Sequence, residues 1–151
     1  MTRLNIGCGR DYRQGWINTD ISHEVKADHY FDIRREKFPF KDELFEEICI
    51  SGVLEQIGPN EELIHAMNEC HRVLKPGGKM TVIVPNAKHA IAHRDPMDVR
   101  KFTMATFKYF DPECYEYRDY GSVYGFKPWD LEDIDENERH ILTVTMHKHG
   151  G

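Results

Sequence analysis

Two features near the N-terminus have residue types and spacing that could bind a ligand. Gly7 and Gly9 flank Cys8 directly after an apolar run, and Asp20 ends a second apolar run. Glycine lets the backbone approach a ligand that any Cβ atom would obstruct. An acid at the end of the second strand of a doubly wound sheet lies beside the first turn, where it can accept hydrogen bonds from both hydroxyls of a ribose. Each feature alone also fits a simpler interpretation, namely a tight turn without a ligand and a solvated strand end.

A second group of residues has the types that bind a metal ion. Two imidazoles and a carboxylate, which are residue types that bind divalent metals, lie close together at His89, His93 and Asp95. Their spacing suits a ligand set only if residues 86–95 form a helical turn. A proline on either side of this stretch favours a loop instead. We therefore expect no metal at these residues.

The overall composition and one substitution disfavour several classes of protein. A nicotinamide-dependent oxidoreductase would need a third glycine at position 12, which is Tyr12. A formal charge of −6 argues against a nucleic-acid partner, because phosphate binding relies on clustered Lys and Arg. No apolar run is long enough for a membrane span and no signal peptide precedes the first strand, so we expect a cytoplasmic protein. The 4 cysteines are dispersed and are expected to be reduced and structural.

The hydrophobic pattern predicts the elements that must position these residues. Apolar runs predict strands over residues 3–8, 16–21, 27–33, 45–51 and 79–84. Apolar residues at helical spacing predict a helix over residues 61–74, which the sequence KPGG ends. A short helix over residues 103–110 and an antiparallel hairpin of residues 126–134 and 140–147 follow. We predict one α/β domain over residues 1–151, with a Rossmann-like, doubly wound and mainly parallel sheet that ends in an antiparallel hairpin.

Four segments together resemble the class I S-adenosylmethionine-dependent methyltransferases, in particular their small type 11 domains. LNIGCG is similar to the first motif of that family, and FDIRREKFPFKDELFEEICISGVLEQI to its adenine-side segment and fourth strand. ECHRVLKPGGKMTVIVPN is similar to its crossover helix, Pro-Gly-Gly turn and fifth strand, and DPMDVRKFTMATFKYF to a later segment of one branch. The resemblance runs from Leu4 to about Asp111 and implies S-adenosylmethionine as the cofactor.

The resemblance also implies a role for individual residues. Those that it places at the cofactor are Gly7, Cys8, Gly9, Asp20, Ile21, Asp32, Ile33, Ser51 and Gly52. The glycine turn would pass under the amino-acid portion and the ribose, and Asp20 would bind the ribose hydroxyls. Asp32 would accept a hydrogen bond from the adenine amino group, with the Ile33 amide beside it. Simpler roles stay open, since Asp32 could cap the loop towards the two arginines that follow and Ser51 could satisfy a strand end.

The predicted activity is methyl transfer to an oxygen or nitrogen atom of a small molecule or sugar. Gln56 and Asp98 stand where relatives in this branch often have histidine, and both changes remove a group that titrates near neutrality. Glu55, His93 and Asp95 are the remaining candidates for a catalytic group. The alternative is a non-catalytic or regulatory module that keeps the fold and acts through a protein partner.

The predicted sheet lacks two of the helices that usually cover its faces. Relatives ordinarily have one helix before the first strand and another before the second, so this chain resembles a family member truncated at its N-terminus. Parallel sheets are nearly always covered on both faces, so another element must take the place of these helices. The candidates are residues 102–124, which are rich in Phe and Tyr, and a second copy of the chain. We therefore predict a homodimer.

Overall fold

The computed structural model describes residues 1–150 as an α/β fold around one mixed sheet. The 7 strands are β1 (Arg3–Ile6), β2 (Ile17–Asp20), β3 (His29–Tyr30), β4 (Phe45–Ser51), β5 (Leu74–Pro85), β6 (Trp129–Glu136) and β7 (Ile141–Lys148). Their order in the sheet is β3-β2-β1-β4-β5-β7-β6. Neighbours from β3 to β5 pair in parallel, whereas β7 is antiparallel to both β5 and β6. The predicted Rossmann-like fold class is therefore confirmed.

The helical elements are fewer and mostly short. They are α1 (Asn60–Val73), α2 (Ser122–Tyr124), three 3₁₀ helices (Leu54–Gln56, Ala90–His93 and Met104–Phe110) and a π-helical segment (Tyr117–Gly121). The second of the 3₁₀ helices lies in the stretch for which the flanking prolines favoured a loop. Within residues 1–150, no helix has the length and apolar character needed to cross a membrane.

The hydrophobic core lies on one face of the sheet, beneath α1. The side chains that the strands contribute to it are Leu4, Ile6, Ile48, Ile50, Met80, Val82, Val84, Leu142, Val144 and Met146. They alternate with more polar residues along β5 and β7, as expected for strands that bury one face only. From α1, the residues Leu63, Met67 and Cys70 pack against this face at helical spacing.

The opposite face of the sheet is polar and only partly covered. Asn5, Cys49, Thr81 and Thr145 share one register across four adjacent strands. The link between β1 and β2, which contains no helix, covers the first two of them, and Asn5 Nδ2 donates to the Asp11 carbonyl at 2.8 Å. Thr81 and Thr145 are half-buried beyond this link. Polar side chains therefore occupy the part of the sheet that the link does not reach.

The aromatic segment downstream of β5 covers part of the core face. Phe102, Phe107 and Phe110 are buried in the core. Asn68 of α1 joins this segment, since its Nδ2 donates to the Gly125 carbonyl at 2.8 Å and its Oδ1 accepts from the Lys127 amide at 3.0 Å. The aromatic segment, one of the two predicted covers, therefore lies on the α1 side of the sheet and leaves the opposite face only partly covered.

Two predicted elements differ from the observed ones for local reasons. The third strand has only two residues, because the Asp28 carboxylate caps β2 by accepting from the Asn18 amide at 2.7 Å, and residues after Tyr30 turn away. The KPGG sequence does not separate α1 from the next strand. Leu74 pairs with Phe45 at once, and the irregular register that follows accommodates Gly77 at φ +75°.

Exposed residues of the aromatic segment could form the interface of the predicted homodimer. Tyr115, Tyr120, Val123 and Tyr124 are exposed on the aromatic segment, and aromatic residues are enriched in interface cores. We expect a solution mass of about twice 17.8 kDa by light scattering after gel filtration. The mass of a single chain at micromolar concentration would contradict the dimer.

Candidate functional site

A cavity of about 300 Å³ opens at the carboxyl edge of the parallel strands. Of the residues that the sequence places at a cofactor, Gly7, Asp20, Ile21, Asp32, Ile33 and Gly52 line it. Cys8, Gly9 and Ser51 do not line it, although they are neighbours of residues that do. The cavity wall also contains Phe31, Gln56, Ile57 and Met97. Carboxyl ends of neighbouring parallel strands meet at one edge of a sheet, which is where such folds bind ligands.

The turn after β1 needs its two glycines for different reasons. Both have a left-handed backbone, with φ +66° at Gly7 and φ +50° at Gly9. A Cβ atom at Gly7 would overlap the Cγ2 atom of Val53, whereas a Cβ atom at Gly9 would meet nothing within 4 Å. Gly7 therefore allows the segment after β4 to approach the turn, and Gly9 leaves an open surface.

This difference gives a matched pair of variants. Gly7→Ala and Gly9→Ala should both destabilise the fold by about 1–2 kcal/mol, because each places a Cβ atom on a left-handed residue. Gly7→Ala should cost about 1 kcal/mol more, because Val53 must also move. Urea unfolding of both variants measures this difference. Equal losses would mean that Val53 does not restrict the turn, and Val53→Ala should recover part of the extra loss.

Asp20 is held by the turn that it faces. Its Oδ2 atom accepts a hydrogen bond from the Gly9 amide at 2.9 Å, and its Oδ1 atom accepts from the Ser22 amide at 2.9 Å. A carboxylate oxygen can accept more than one hydrogen bond, so both atoms keep capacity for a ligand. The two amides therefore fix a charged acceptor pair at the cavity wall.

Asp32 forms an ion pair with Arg34, one of the two arginines towards which it was expected to cap the loop. Arg34 forms a bidentate pair with it, from Nε to Oδ1 at 2.9 Å and from Nη2 to Oδ2 at 3.0 Å. The Arg34 amide also donates to Oδ1 at 2.9 Å. These hydrogen bonds lower the pKa of Asp32, which stays ionised, and raise the pKa of Arg34. Asp32 thus caps the loop and lines the cavity at the same time.

Glu55 is a buried acid, and the next residue in the chain lines the cavity. It lies in the 3₁₀ helix after β4, beside Gln56, and is only 5% exposed. Its Oε1 atom is buried without a hydrogen-bond partner. Burial, with smaller contributions from the charges of Asp98 and Asp95, raises the pKa of Glu55 to about 7. The carboxyl group therefore changes its protonation state near neutral pH.

The other two catalytic candidates lie outside the cavity. His93 is exposed and its Nε2 atom lies 3.0 Å from the Ala87 carbonyl. Asp95 is exposed and accepts from the Met97 amide at 2.9 Å. His89, His93 and Asp95 do not form one ligand set, because His89 lies instead against Glu136 and His140.

The cysteine at the turn has a structural environment. Cys8 is buried, and its Sγ atom lies 3.5 Å from the Lys26 carbonyl. Burial raises the pKa of this thiol, with a further contribution from the charge of Asp20. A thiol in such surroundings stays protonated and acts as a small apolar side chain. Its side chain is therefore not part of the cavity chemistry.

The strand order and the cavity at the carboxyl edge define a Rossmann-like α/β protein with a cavity beside its glycine turn. The family described as "Methyltransferase domain" matches residues 4–82, just over half of the chain. The chain therefore belongs to this methyltransferase family. A search of curated proteins returned no sequence match.

Solved structures share the fold at low sequence identity. A SAM-dependent methyltransferase from Archaeoglobus fulgidus has a TM-score of 0.70 and 16% identity, over 97% of this chain and 86% of that one. A SAM-dependent methyltransferase from Methanosarcina mazei has a TM-score of 0.64 and 15% identity, over 97% and 92%. The [4+2]-cyclase SpnF has a TM-score of 0.64 and 15% identity, over 99% and 75%. The fold therefore serves more than one reaction.

S-adenosylmethionine is the cofactor that the family and these structures imply. The residues at the cavity fit it. Asp20 offers fixed acceptors of the kind that a ribose diol needs, and the walls of Ile21, Phe31 and Ile33 are apolar, as a nucleobase requires. A volume of about 300 Å³ lies at the lower end of the range for small-molecule sites, which run to about 1,000 Å³.

Proposed function

We propose that the chain transfers a methyl group to an oxygen or nitrogen atom of a small molecule or sugar. The observation that carries the proposal is the Asp20 carboxylate, which two backbone amides fix at the wall of the carboxyl-edge cavity. When bound, S-adenosylmethionine supplies an electrophilic methyl group on sulfur. The protein must then hold the acceptor in line with that methyl group, and orientation accounts for much of the rate.

Each residue of the cavity has a role in this proposal. The backbone of Gly7 to Gly9 passes under the amino-acid portion and ribose of the cofactor, and Asp20 with Ile21 holds the ribose. Asp32 accepts from the adenine amino group, beside the Ile33 amide, while Arg34 keeps its carboxylate ionised and fixed. Ser51 and Gly52 lie at the carboxyl end of β4 beside the cofactor, and Gly52 lines the cavity.

Glu55 is the best supported of the three candidates for the catalytic group. A hydroxyl acceptor must lose a proton, and a general base works best when its pKa lies near the working pH. The pKa of about 7 for Glu55 meets that condition. Its Oε2 atom lies 4.0 Å from the position that a Cβ atom would take at Gly52, and Gly52 lines the cavity. His93 and Asp95 are engaged elsewhere.

The test is an assay of methyl transfer to a panel of small molecules and sugars that carry hydroxyl or amine groups. The measured product is S-adenosylhomocysteine. We expect turnover with at least one acceptor, and loss of that turnover at subsaturating cofactor in Asp20→Ala. Asp28→Ala is the matched control, because Asp28 caps β2 outside the cavity and should keep the activity. Turnover that Asp20→Ala leaves unchanged would contradict the assigned site.

A second candidate is a non-catalytic or regulatory module that binds the cofactor and acts through a protein partner. The observation in its favour is that Gln56, which cannot act as a base, lines the cavity while the Glu55 carboxyl does not. Cofactor binding without turnover on any acceptor would favour this module. Co-purification with a partner in a cofactor-dependent manner would then identify its role. The cytoplasmic location stays a prediction under both candidates.

A further inference from the structure

Two imidazoles and a carboxylate meet at the end of the antiparallel hairpin. His89 follows β5, Glu136 ends β6 and His140 immediately precedes β7. Glu136 Oε2 lies 2.8 Å from His140 Nδ1 and 3.5 Å from His89 Nε2. The pairing of Pro85 with Ile141 brings these residues together from distant parts of the chain. One nitrogen or oxygen atom from each side chain lies within 4.8 Å of the other two.

A buried amide orients the carboxylate of this cluster. Asn86 is 3% exposed, and its Nδ2 atom donates to Glu136 Oε1 at 3.0 Å. The Asn86 amide donates to the His140 carbonyl at 2.9 Å, so the same residue also fixes the backbone of the second imidazole. Glu136 Oε1 is held by the Asn86 amide group, and Oε2 is the atom that lies against both rings. At metal sites, hydrogen-bond partners of this kind hold the metal-binding side chains in place.

The ligand set has a defined chemical preference. Two imidazoles with one carboxylate bind zinc and related divalent transition metals, and such sites often leave a position for water or another ligand. His89, Glu136 and His140 are each half-exposed, so solvent can complete the coordination. The two rings are stacked with centroids 3.5 Å apart and an interplanar angle of 8°. Coordination therefore requires the rings to splay, for which their exposed edges leave room.

We propose that His89, Glu136 and His140 form a binding site for a divalent transition metal ion of the zinc class. The site lies at the same edge of the sheet as the cofactor cavity, but none of the three residues lines that cavity. β7 lies three strands from β1. A strand spacing of about 4.8 Å places the two sites roughly 14 Å apart. The metal site does not depend on methyl transfer.

The test is calorimetric titration of the full chain, free of any histidine tag and of chelator, with Zn²⁺. We expect one tight equivalent per chain, and at least about tenfold weaker binding in both His140→Asn and Glu136→Gln. Asparagine is chosen at position 140 because it tolerates the left-handed backbone there, with φ +62°, and so keeps the turn. Zn²⁺ should also raise the melting temperature of the native chain by more than that of His140→Asn.

A matched control separates the cluster from an ordinary pair of histidine and carboxylate. His149 Nδ1 lies 2.7 Å from Asp130 Oδ1, without a third ligand from the described residues. His149→Ala should leave the tight equivalent unchanged. The proposal is overturned if the native chain binds no Zn²⁺, if His140→Asn binds it as tightly as the native chain, or if His149→Ala removes the tight equivalent.

Discussion

Replacement of Asp20 with alanine should weaken the binding of S-adenosylmethionine by about 1–3 kcal/mol, which corresponds to about 5- to 150-fold in affinity. The loss has a direct physical cause. The Asp20 carboxylate is the charged acceptor at the cavity wall, and the amides of Gly9 and Ser22 fix both of its oxygens. A ribose hydroxyl that loses such a partner recovers little from water in a partly enclosed site. Isothermal titration of the variant measures the change.

Two controls separate this effect from damage to the fold. Asp20→Asn keeps the shape and one acceptor oxygen, so it should lose less affinity than Asp20→Ala. Asp28→Ala removes a neighbouring carboxylate that lies outside the cavity, and it should lower stability while leaving cofactor affinity unchanged. An Asp20→Ala variant that binds as tightly as the native chain would show that the ribose lies elsewhere.

Replacement of Glu55 with glutamine should stabilise the fold by about 3 kcal/mol at pH 8 and have little effect at pH 4. The pKa of this carboxyl is about 7 in the folded chain against an ordinary value of 4.5, because burial disfavours its charge. Below pH 4.5 it is neutral in both states, so its full contribution to stability is present. As the pH rises towards 7, the unfolded chain loses the proton first, and the native fold loses about 3 kcal/mol.

Urea unfolding of both proteins between pH 4 and pH 8 measures the difference in the free energy of unfolding. Glutamine cannot ionise, so the gap between variant and native chain should grow with pH and level off above about pH 7. Glu61→Gln, at an exposed acid in the first turn of α1, should show no such growth. A constant gap for Glu55→Gln across this range would mean that the Glu55 carboxyl ionises normally.

The elements that local pattern determines were predictable from the sequence. The strand Phe45–Ser51 matches its prediction at both ends, because its apolar residues follow the loop that carries Pro39 and stop at Gly52. The helix Asn60–Val73 lies within one residue of its prediction, because its apolar residues recur at helical spacing. The third strand was predicted too long, since the Asp28 side chain decides where its pairing begins.

The site residues at strand ends could be predicted from the sequence, whereas contacts between segments far apart in the chain could not. Asp20 and Gly52, at the ends of the two strands that flank β1, reach one cavity because the strand order brings them there. The burial of Glu55 depends on a fold-back of the chain, in which the Arg100 amide donates to the Glu55 carbonyl at 2.8 Å. No local pattern reports such a contact. The same holds for Glu136 and His140 beside His89, which only the strand pairing brings together.

Cofactor binding is the central claim, and isothermal titration of the native chain tests it most directly. The titrants are S-adenosylmethionine, S-adenosylhomocysteine and NAD, the last as a nucleotide with the wrong chemistry for a turn that has Tyr12 in place of a third glycine. We expect micromolar binding of the first two and no binding of NAD. No binding of any of the three, or binding of NAD alone, would contradict the assignment of the cavity.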